Sequence, residues 1–173
     1  YFRRRFVAVA RGVFNDFSTQ RLVLMLGLSF LITSLIGLGL AATPIIDVFF
    51  ASPAIAGAML LVTAAVLLSL RYLPQSDNSV SLMNMSWRVS LLVGLAQGLA
   101  IFPGISRSGL TICAGLWGGQ DRNSAAEFSF LLAVPTLIAA SLFSLVTEPE
   151  LGVVDVGDML FAFVFAFATG MLA

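Results

Sequence analysis

Histidine is absent from this sequence, cysteine occurs once, and all nine basic residues are arginine. A lone Cys113 excludes an internal disulfide, and without histidine no Cys/His zinc site can be built from this chain alone. The redox compartment is left undetermined. Charge is scarce as well: 10% of residues are charged, against about 25% in an average soluble domain. Nine basic and nine acidic residues cancel, so bulk charge points to no nucleic acid and no acidic partner.

What fills the space is apolar. The chain is 59% hydrophobic with a mean hydropathy of +1.01, values that belong in a membrane. Apolar runs over residues 21–42, 54–73, 124–146 and 157–173 each approach the ~20 residues a helix needs to cross a ~30 Å hydrocarbon core. Four spans are expected, the last one cut off by the chain end. The sequence begins at Tyr1 rather than Met, and its first residues are too charged for a signal peptide, so a piece of a longer membrane protein is expected. The fold class is an all-α integral membrane protein, a multi-span helical bundle forming one membrane domain over residues 1–173.

Arginine placement gives an orientation. Arg3, Arg4, Arg5, Arg11 and Arg21 put the N-terminal side in the cytoplasm. The aromatic and basic mixture of residues 1–11 suits either an interfacial segment or a plain positive flank, the second being preferred. Residues 43–53 carry Asp47 and no arginine and read as outside. Residues 74–88, bounded by Arg71 and Arg88, return to the cytoplasm, and residues 147–158, with Glu148, Glu150, Asp155 and Asp158, read as outside.

That alternation holds only if residues 87–122 enter and leave on one side. Residues 87–102 would make a helix of ~24 Å, too short to cross comfortably, residues 110–119 are shorter still, and Pro103-Gly104 prevents one continuous helix. The segment is therefore expected to be a re-entrant hairpin of two half-helices, a form tolerated in a bilayer only when buried in protein or lining a wet cavity. Short, interrupted apolar segments are also where membrane proteins place midplane binding sites. Gly94-x3-Gly98 and Gly115-x3-Gly119 are spaced to let the two arms approach closely, although glycine is common in membrane helices for other reasons.

The turn of this hairpin reads "PGISRSGLT". Pro103 stops the first half-helix, and Gly104 and Gly109 permit backbone conformations closed to other residues. Ser106, Ser108 and Thr111 offer hydroxyls. Unpaired N–H groups opening a half-helix at Leu110 add the positive end of its dipole. Arg107 brings a permanently charged planar fork that matches phosphate oxygens two at a time. Together they form an anion cradle suited to phosphate. The competing account has Arg107 snorkelling or paired with a buried acid while the serines cap a helix. The cradle is favoured because an ionisable residue inside a membrane is functional by default.

Several residues around the turn have plainer roles. Ser124-Ala-Ala-Glu127 is a capping-box pattern, so Glu127 holds a helix start, with a second role in orienting Arg107 or binding a divalent ion with Asp121. Gln97 either faces the turn or bonds a neighbouring helix. Pro135 is expected to kink its span. Phe161, Phe163, Phe165 and Phe167 alternate as a strand would, but on a helix they fall on opposite faces and meet lipid. Cys113 reads as a small buried hydrophobe.

"AQGLAIFPGISRSGLT" followed by "AAEFSFLLAVP" resembles the second signature region of the bacterial undecaprenyl-diphosphatase family, the bacitracin-resistance phosphatases. Pro103 to Thr111 match the family's own motif throughout, and the order of apolar spans is similar along essentially the whole chain. The resemblance implies an enzyme of the bacterial inner membrane that removes one phosphate from undecaprenyl pyrophosphate, recycling the lipid carrier for cell-wall synthesis. It implies that Arg107 clamps the pyrophosphate, that Ser106 and Ser108 bind its oxygens or assist attack, and that Thr111 supports the loop. Beside them, Gly104, Gly109 and Gln97 are expected to line the phosphate site. It further implies a divalent cation, Mg2+ or Ca2+, and two inverted repeats that each hold a re-entrant pair, with the site facing the periplasm.

The family's earlier signature region, which supplies paired glutamates, a serine-rich turn and a histidine, has no counterpart in this sequence. The chain therefore carries the phosphate clamp without the activating groups. Nucleophile, base and metal ligands are left open, as is the choice between monomer and homodimer. A prenyl-phosphate lipid transporter and a noncatalytic fragment that binds the lipid pyrophosphate are the competing functions; broken helices that present N-termini to an anion serve transporters as well as enzymes.

Overall fold

The computed structural model describes residues 3–13, 16–72, 80–147 and 156–172. The loop interior at 73–79 and the acidic residues Glu148, Glu150 and Asp155 lie outside them. The chain divides into two compact units, Tyr1–Thr136 and Leu137–Ala173. Among the described residues all regular structure is helical apart from one isolated parallel bridge between Val80 and Gln120.

The first unit opens with α1 (Arg3–Gly12) and α2 (Phe17–Ala41). Asp16 caps α2, its carboxylate accepting from the Ser18 and Thr19 N–H groups, which would otherwise be left without partners at a helix start. A short helix, α3 (Ile45–Ala51), occupies what the sequence presents as a plain loop, and α4 (Pro53–Ser69) follows at once. Proline suits the first position of α4 because the missing N–H has no helical partner there, and Ser52 caps the same end.

Three helical stretches are long and apolar enough to cross a membrane: Phe17–Ala41, Pro53–Tyr72 and Arg122–Thr147. Four were expected. The final helix, α8 (Val156–Leu172), has 17 residues and reaches ~25 Å, short of the ~30 Å core. Few residues of the three spans are buried, and Leu24, Leu31, Leu35 and Leu38 lie open on α2. Apolar surface open on that scale suits lipid rather than water, so the chain is an all-α membrane protein.

Between the second and third spans lie α5 (Trp87–Leu99) and α6 (Arg107–Trp117). Both differ from the half-helices expected at 87–102 and 110–119. Helix α5 stops earlier because the chain tightens before Pro103, with Ile101 N–H on the Gly98 carbonyl and Phe102 N–H on that of Leu99. Helix α6 starts earlier because Ser106 caps it, the Ser106 Oγ accepting from Gly109 N–H at 3.2 Å. The outer ends of the two helices meet: a Cβ on Gly118, just past α6, would stand 2.6 Å from a Val89 methyl in the first turn of α5. The pair is a hairpin.

Its glycines do not face one another. A Cβ on Gly94 would stand 2.9 Å from the Ser29 carbonyl oxygen, and one on Gly98 would run into Ile36, so both admit α2 to α5. Gly115 faces Ala125 and Gln120 instead, and Gly119, with φ +86, serves a turn. The close approach that Gly94 and Gly98 allow is made with α2, and that of Gly115 with Ala125 in the first turn of the following helix. Successive contacts of Ser90 with Met25, Gly94 with Ser29, Gln97 with Thr33 and Ile101 with Gly37 show α5 running beside α2 in the same direction. Leu22, Leu82, Met85, Val89, Val93 and Phe128 form the apolar core at the base of the hairpin.

The third span, α7 (Arg122–Thr147), begins at Asp121, not at Ser124. Asp121 is the cap, accepting from Ser124 N–H at 2.8 Å and from its hydroxyl at 2.6 Å. The capping box read at Ser124 and Glu127 is therefore displaced by one turn, and the Ser124 Oγ also accepts the Leu82 N–H at 2.9 Å. Pro135 lies inside α7, which continues to Thr147. In the second unit, Phe161 meets Phe165 at a tilt and Phe163 stacks near Phe167, one turn apart, and all four rings are exposed, as a helix reading of the alternation requires.

Candidate functional site

The turn between α5 and α6 is built against α4. Gly104 has φ +90, a conformation that side chains rarely adopt, and a Cβ there would stand 2.2 Å from the Ala56 carbonyl oxygen. Both facts require glycine. Gly109 is different: it lies within α6 at an ordinary helical φ, so the freedom expected of it is not used. Further along, the Thr63 hydroxyl of α4 donates to the Gly104 carbonyl at 3.1 Å and accepts the Ser106 N–H at 3.1 Å. Phe102 rests on Phe49 with ring centroids 4.6 Å apart.

These bonds decide which donors are free. Leu110 N–H bonds the Ser106 carbonyl at 2.9 Å, so the open N–H groups are not at Leu110 as expected. Ser106 N–H is taken by Thr63 and Gly109 N–H by the Ser106 Oγ. The Arg107 and Ser108 N–H groups have no partner among the described residues. They carry the positive end of the α6 dipole.

Arg107 is half-buried, and its Nη2 donates to the Thr136 hydroxyl on α7. That hydroxyl in turn donates to the carbonyls of Leu132 or Ala133, which leaves its lone pairs to the guanidinium. No carboxylate among the described residues pairs with Arg107, so the buried ion pair offered by the competing account is not made there.

The remaining candidates separate. Ser108 is exposed beside Arg107, its hydroxyl uncommitted among the described residues. Ser106 spends an Oγ lone pair on its cap. Thr111 is buried and turned away from the turn, bonding the Ser129 hydroxyl at 2.6 Å and the Arg107 carbonyl at 2.9 Å. Gln97 is also buried, and its amide donates to Thr33 of α2 at 3.3 Å, the neighbouring-helix alternative. Glu127 is half-buried on the second turn of α7. Cys113 is buried as expected.

Three hydroxyl residues escaped the sequence reading: Thr63, Ser129 and Thr136. Thr63 and Thr136 are lone polar residues in apolar runs, and that isolation was the available signal; Ser129 stands two residues from Glu127 and carried none.

No group of three or more His, Cys, Asp or Glu side chains comes together among the described residues. Asp121, one of two acids considered for a divalent cation, is committed to capping α7. The described residues do not by themselves assemble a carboxylate site for Mg2+ or Ca2+.

The chain is similar to several known proteins. A protein named undecaprenyl-diphosphatase from Desulfatibacillum aliphaticivorans is 41% identical over 148 residues, covering 83% of this chain and 52% of that protein. Another of that name from Dechloromonas aromatica is 34% identical over 172 residues, covering 99% of this chain and 62% of its own length. One from Korarchaeum cryptofilum is 39% identical over 136 residues, covering 79% and 49%. The chain thus spans about half the length of the curated relatives it matches. The family described as bacitracin resistance protein BacA matches residues 1–173, and the chain belongs to it.

Proposed function

We propose that this chain provides the phosphate-holding part of an undecaprenyl-diphosphatase of the bacterial inner membrane. In this reading the α5–α6 hairpin re-enters the bilayer, and its turn receives the pyrophosphate of undecaprenyl pyrophosphate. The phosphoanhydride bond is hydrolysed to undecaprenyl phosphate and phosphate. The observation that carries the reading is Arg107: a guanidinium without a carboxylate partner among the described residues, at the open N-terminus of α6, between apolar segments.

The chemistry follows from charge. Phosphoryl transfer spreads negative charge over the equatorial oxygens, and catalysis consists largely of positioning and electrostatic stabilisation. Arg107 can engage two oxygens through its fork, while the Arg107 and Ser108 N–H groups and the Ser108 hydroxyl add fixed donors. Donors already held in place cost no reorganisation as charge develops. Ser106 serves the cradle by capping α6. No step is assigned to a metal ion, and the attacking group is not assigned to this chain.

The test is phosphate release from undecaprenyl pyrophosphate in detergent, using the protein extended to the length of its relatives, its Arg107→Ala variant and the 173-residue chain. Release by the extended protein, abolished in the variant, is the expected result. Binding of the lipid without release would overturn the enzyme reading and favour lipid transport. Binding by the short chain without turnover, beside an active extended protein, would locate the activating groups outside this chain.

A further inference from the structure

Most threonines in these helices behave in one way. Thr33, Thr111, Thr136, Thr147 and Thr169 each return a hydroxyl bond to a carbonyl three or four residues back in their own helix. That is the cheapest way to satisfy a hydroxyl in an apolar span. Thr63 does otherwise. Buried within the span Pro53–Tyr72, it gives both of its bonds to the backbone of the α5–α6 turn, 41 and 43 residues away.

The two bonds have opposite senses. The hydroxyl donates to the Gly104 carbonyl and accepts from the Ser106 N–H, spanning the two peptide groups on either side of Ile105. A hydroxyl can do both at once, whereas a carbonyl or an N–H cannot. Gly104 is the one residue in this turn at a left-handed φ, and glycine by itself would leave its rotation loosely held. Thr63 ties the peptide groups on either side of Ile105 to one hydroxyl, and so fixes the carbonyl that follows the Gly104 rotation and the N–H that follows Ile105. It also removes Ser106 from the set of open donors, so the free N–H groups begin at Arg107.

We propose that Thr63 is a positioning residue for the anion cradle: its hydroxyl sets which backbone N–H groups meet the phosphate and points the Gly104 carbonyl away from them. This rests on the phosphate-holding reading of the turn. Its physical basis is general. A misplacement of ~1 Å in a reacting group costs up to ~10²-fold in rate, and a carbonyl oxygen swung toward a phosphate would repel it. Thr63 touches no substrate in this account. It acts through Gly104 and Ser106.

The experiment compares Thr63→Val, which keeps the shape and loses the hydroxyl, with Thr63→Ser, which keeps the hydroxyl and loses the methyl. Both are made in the protein extended to the length of its relatives and purified in detergent. Two readouts are taken: hydrogen exchange at the Ser106 amide, and phosphate release from undecaprenyl pyrophosphate resolved into kcat and KM. The valine variant is expected to exchange Ser106 roughly 5- to 10-fold faster, the loss of one net hydrogen bond. It should lose about 10²-fold in kcat with a smaller change in KM. Serine should restore both.

Wild-type exchange and turnover in the valine variant would overturn the proposal. So would a serine variant as impaired as valine, because methyl packing would then be the cause. Faster exchange with unchanged kcat would also overturn it, since the turn would be held to no catalytic purpose. If the wild type releases no phosphate at all, the proposed activity fails, and the Ser106 exchange comparison alone decides whether Thr63 sets the turn. Should the valine variant not fold, Thr63→Ala removes the same hydroxyl without adding bulk.

Discussion

Two regions of this membrane protein are rich in polar groups, and they treat them oppositely. Along the α2–α5 seam, Ser29 bonds the Ser90 carbonyl, Ser90 reaches Met25, Thr33 bonds Ser29 and Gly94, and Gln97 bonds Thr33. Every one of those side chains has a partner within the protein. At the α5–α6 turn, Arg107 has no carboxylate partner and two consecutive N–H groups have no acceptor among the described residues, and Ser108 is exposed. A saturated polar cluster in an apolar medium holds helices together, whereas an unsaturated one is costly unless a ligand completes it. The pattern of satisfaction, rather than the presence of polar residues, separates scaffold from site.

The largest effect that would sharpen this comparison is at Arg107. Arg107→Lys keeps the charge and loses the two-point fork. Phosphate release by the extended protein should fall by ~10²–10³-fold, the usual cost of removing one preorganised donor. The unfolding midpoint should move little, since no ion pair is lost among the described residues and the lysine ammonium can still donate to the Thr136 hydroxyl. Near-full activity would remove bidentate clamping from the mechanism. A large loss of stability would make Arg107 part of the scaffold and break the distinction.

Next comes Gly104. Gly104→Ala forces a side chain onto a left-handed backbone, at about 1–2 kcal/mol, and drives its Cβ against the Ala56 carbonyl. Both stability and phosphate release should fall, because the site rests on the packing of the turn against α4. Thermal unfolding in detergent beside the phosphate assay checks this. Lost stability with turnover intact in the folded fraction would show that the turn's position is irrelevant to activity.

Much of this was legible in the sequence, and the failures have common causes. Spans were found because apolar runs of membrane length are nearly unambiguous, and the hairpin because Pro103-Gly104 splits a run too short to cross twice. Boundaries moved by three residues because a serine can be read as a ligand or as a cap, and only geometry shows that the Ser106 Oγ accepts from Gly109 N–H. The same ambiguity put the α7 cap at Ser124 when Asp121 holds it. Glycine spacing revealed close approach without naming the partner: Gly94 and Gly98 meet α2, which no local pattern encodes. Thr63 was invisible because its partners lie more than 40 residues away.

A smaller effect tests the seam. In a Thr33→Val, Gln97→Leu double-mutant cycle, the coupling should be about 0.6 kcal/mol, the average for hydrogen bonds between membrane helices. Turnover per folded molecule should be unchanged at every corner, because the Gln97 amide is turned to α2. If the Gln97→Leu protein instead loses phosphate release while remaining as stable as its parent, Gln97 belongs to the site and the seam is not purely structural.

The smallest effect concerns the base of the hairpin, where Asp121 caps α7. The Ser124 hydroxyl, with help from backbone N–H groups, holds the Asp121 carboxyl below its ordinary value of 3.8 against an opposing burial effect. A carboxyl whose folded pKa is depressed contributes stability that is present above 3.8 and lost as pH falls below 3.8 through the folded value. The charge is partly exposed at a helix start, so screening keeps this to about 0.3 kcal/mol. Asn caps as well as Asp, so Asp121→Asn should match the wild type near neutral pH and lose less stability between about pH 5 and about pH 2. Asp16, also held low by Ser18 and Thr19, titrates in both proteins and cancels in the difference. Unfolding midpoints across that range measure it. Parallel curves for the two proteins would mean that the cap acts through hydrogen-bond geometry alone, with charge contributing nothing to how the hairpin's base is held.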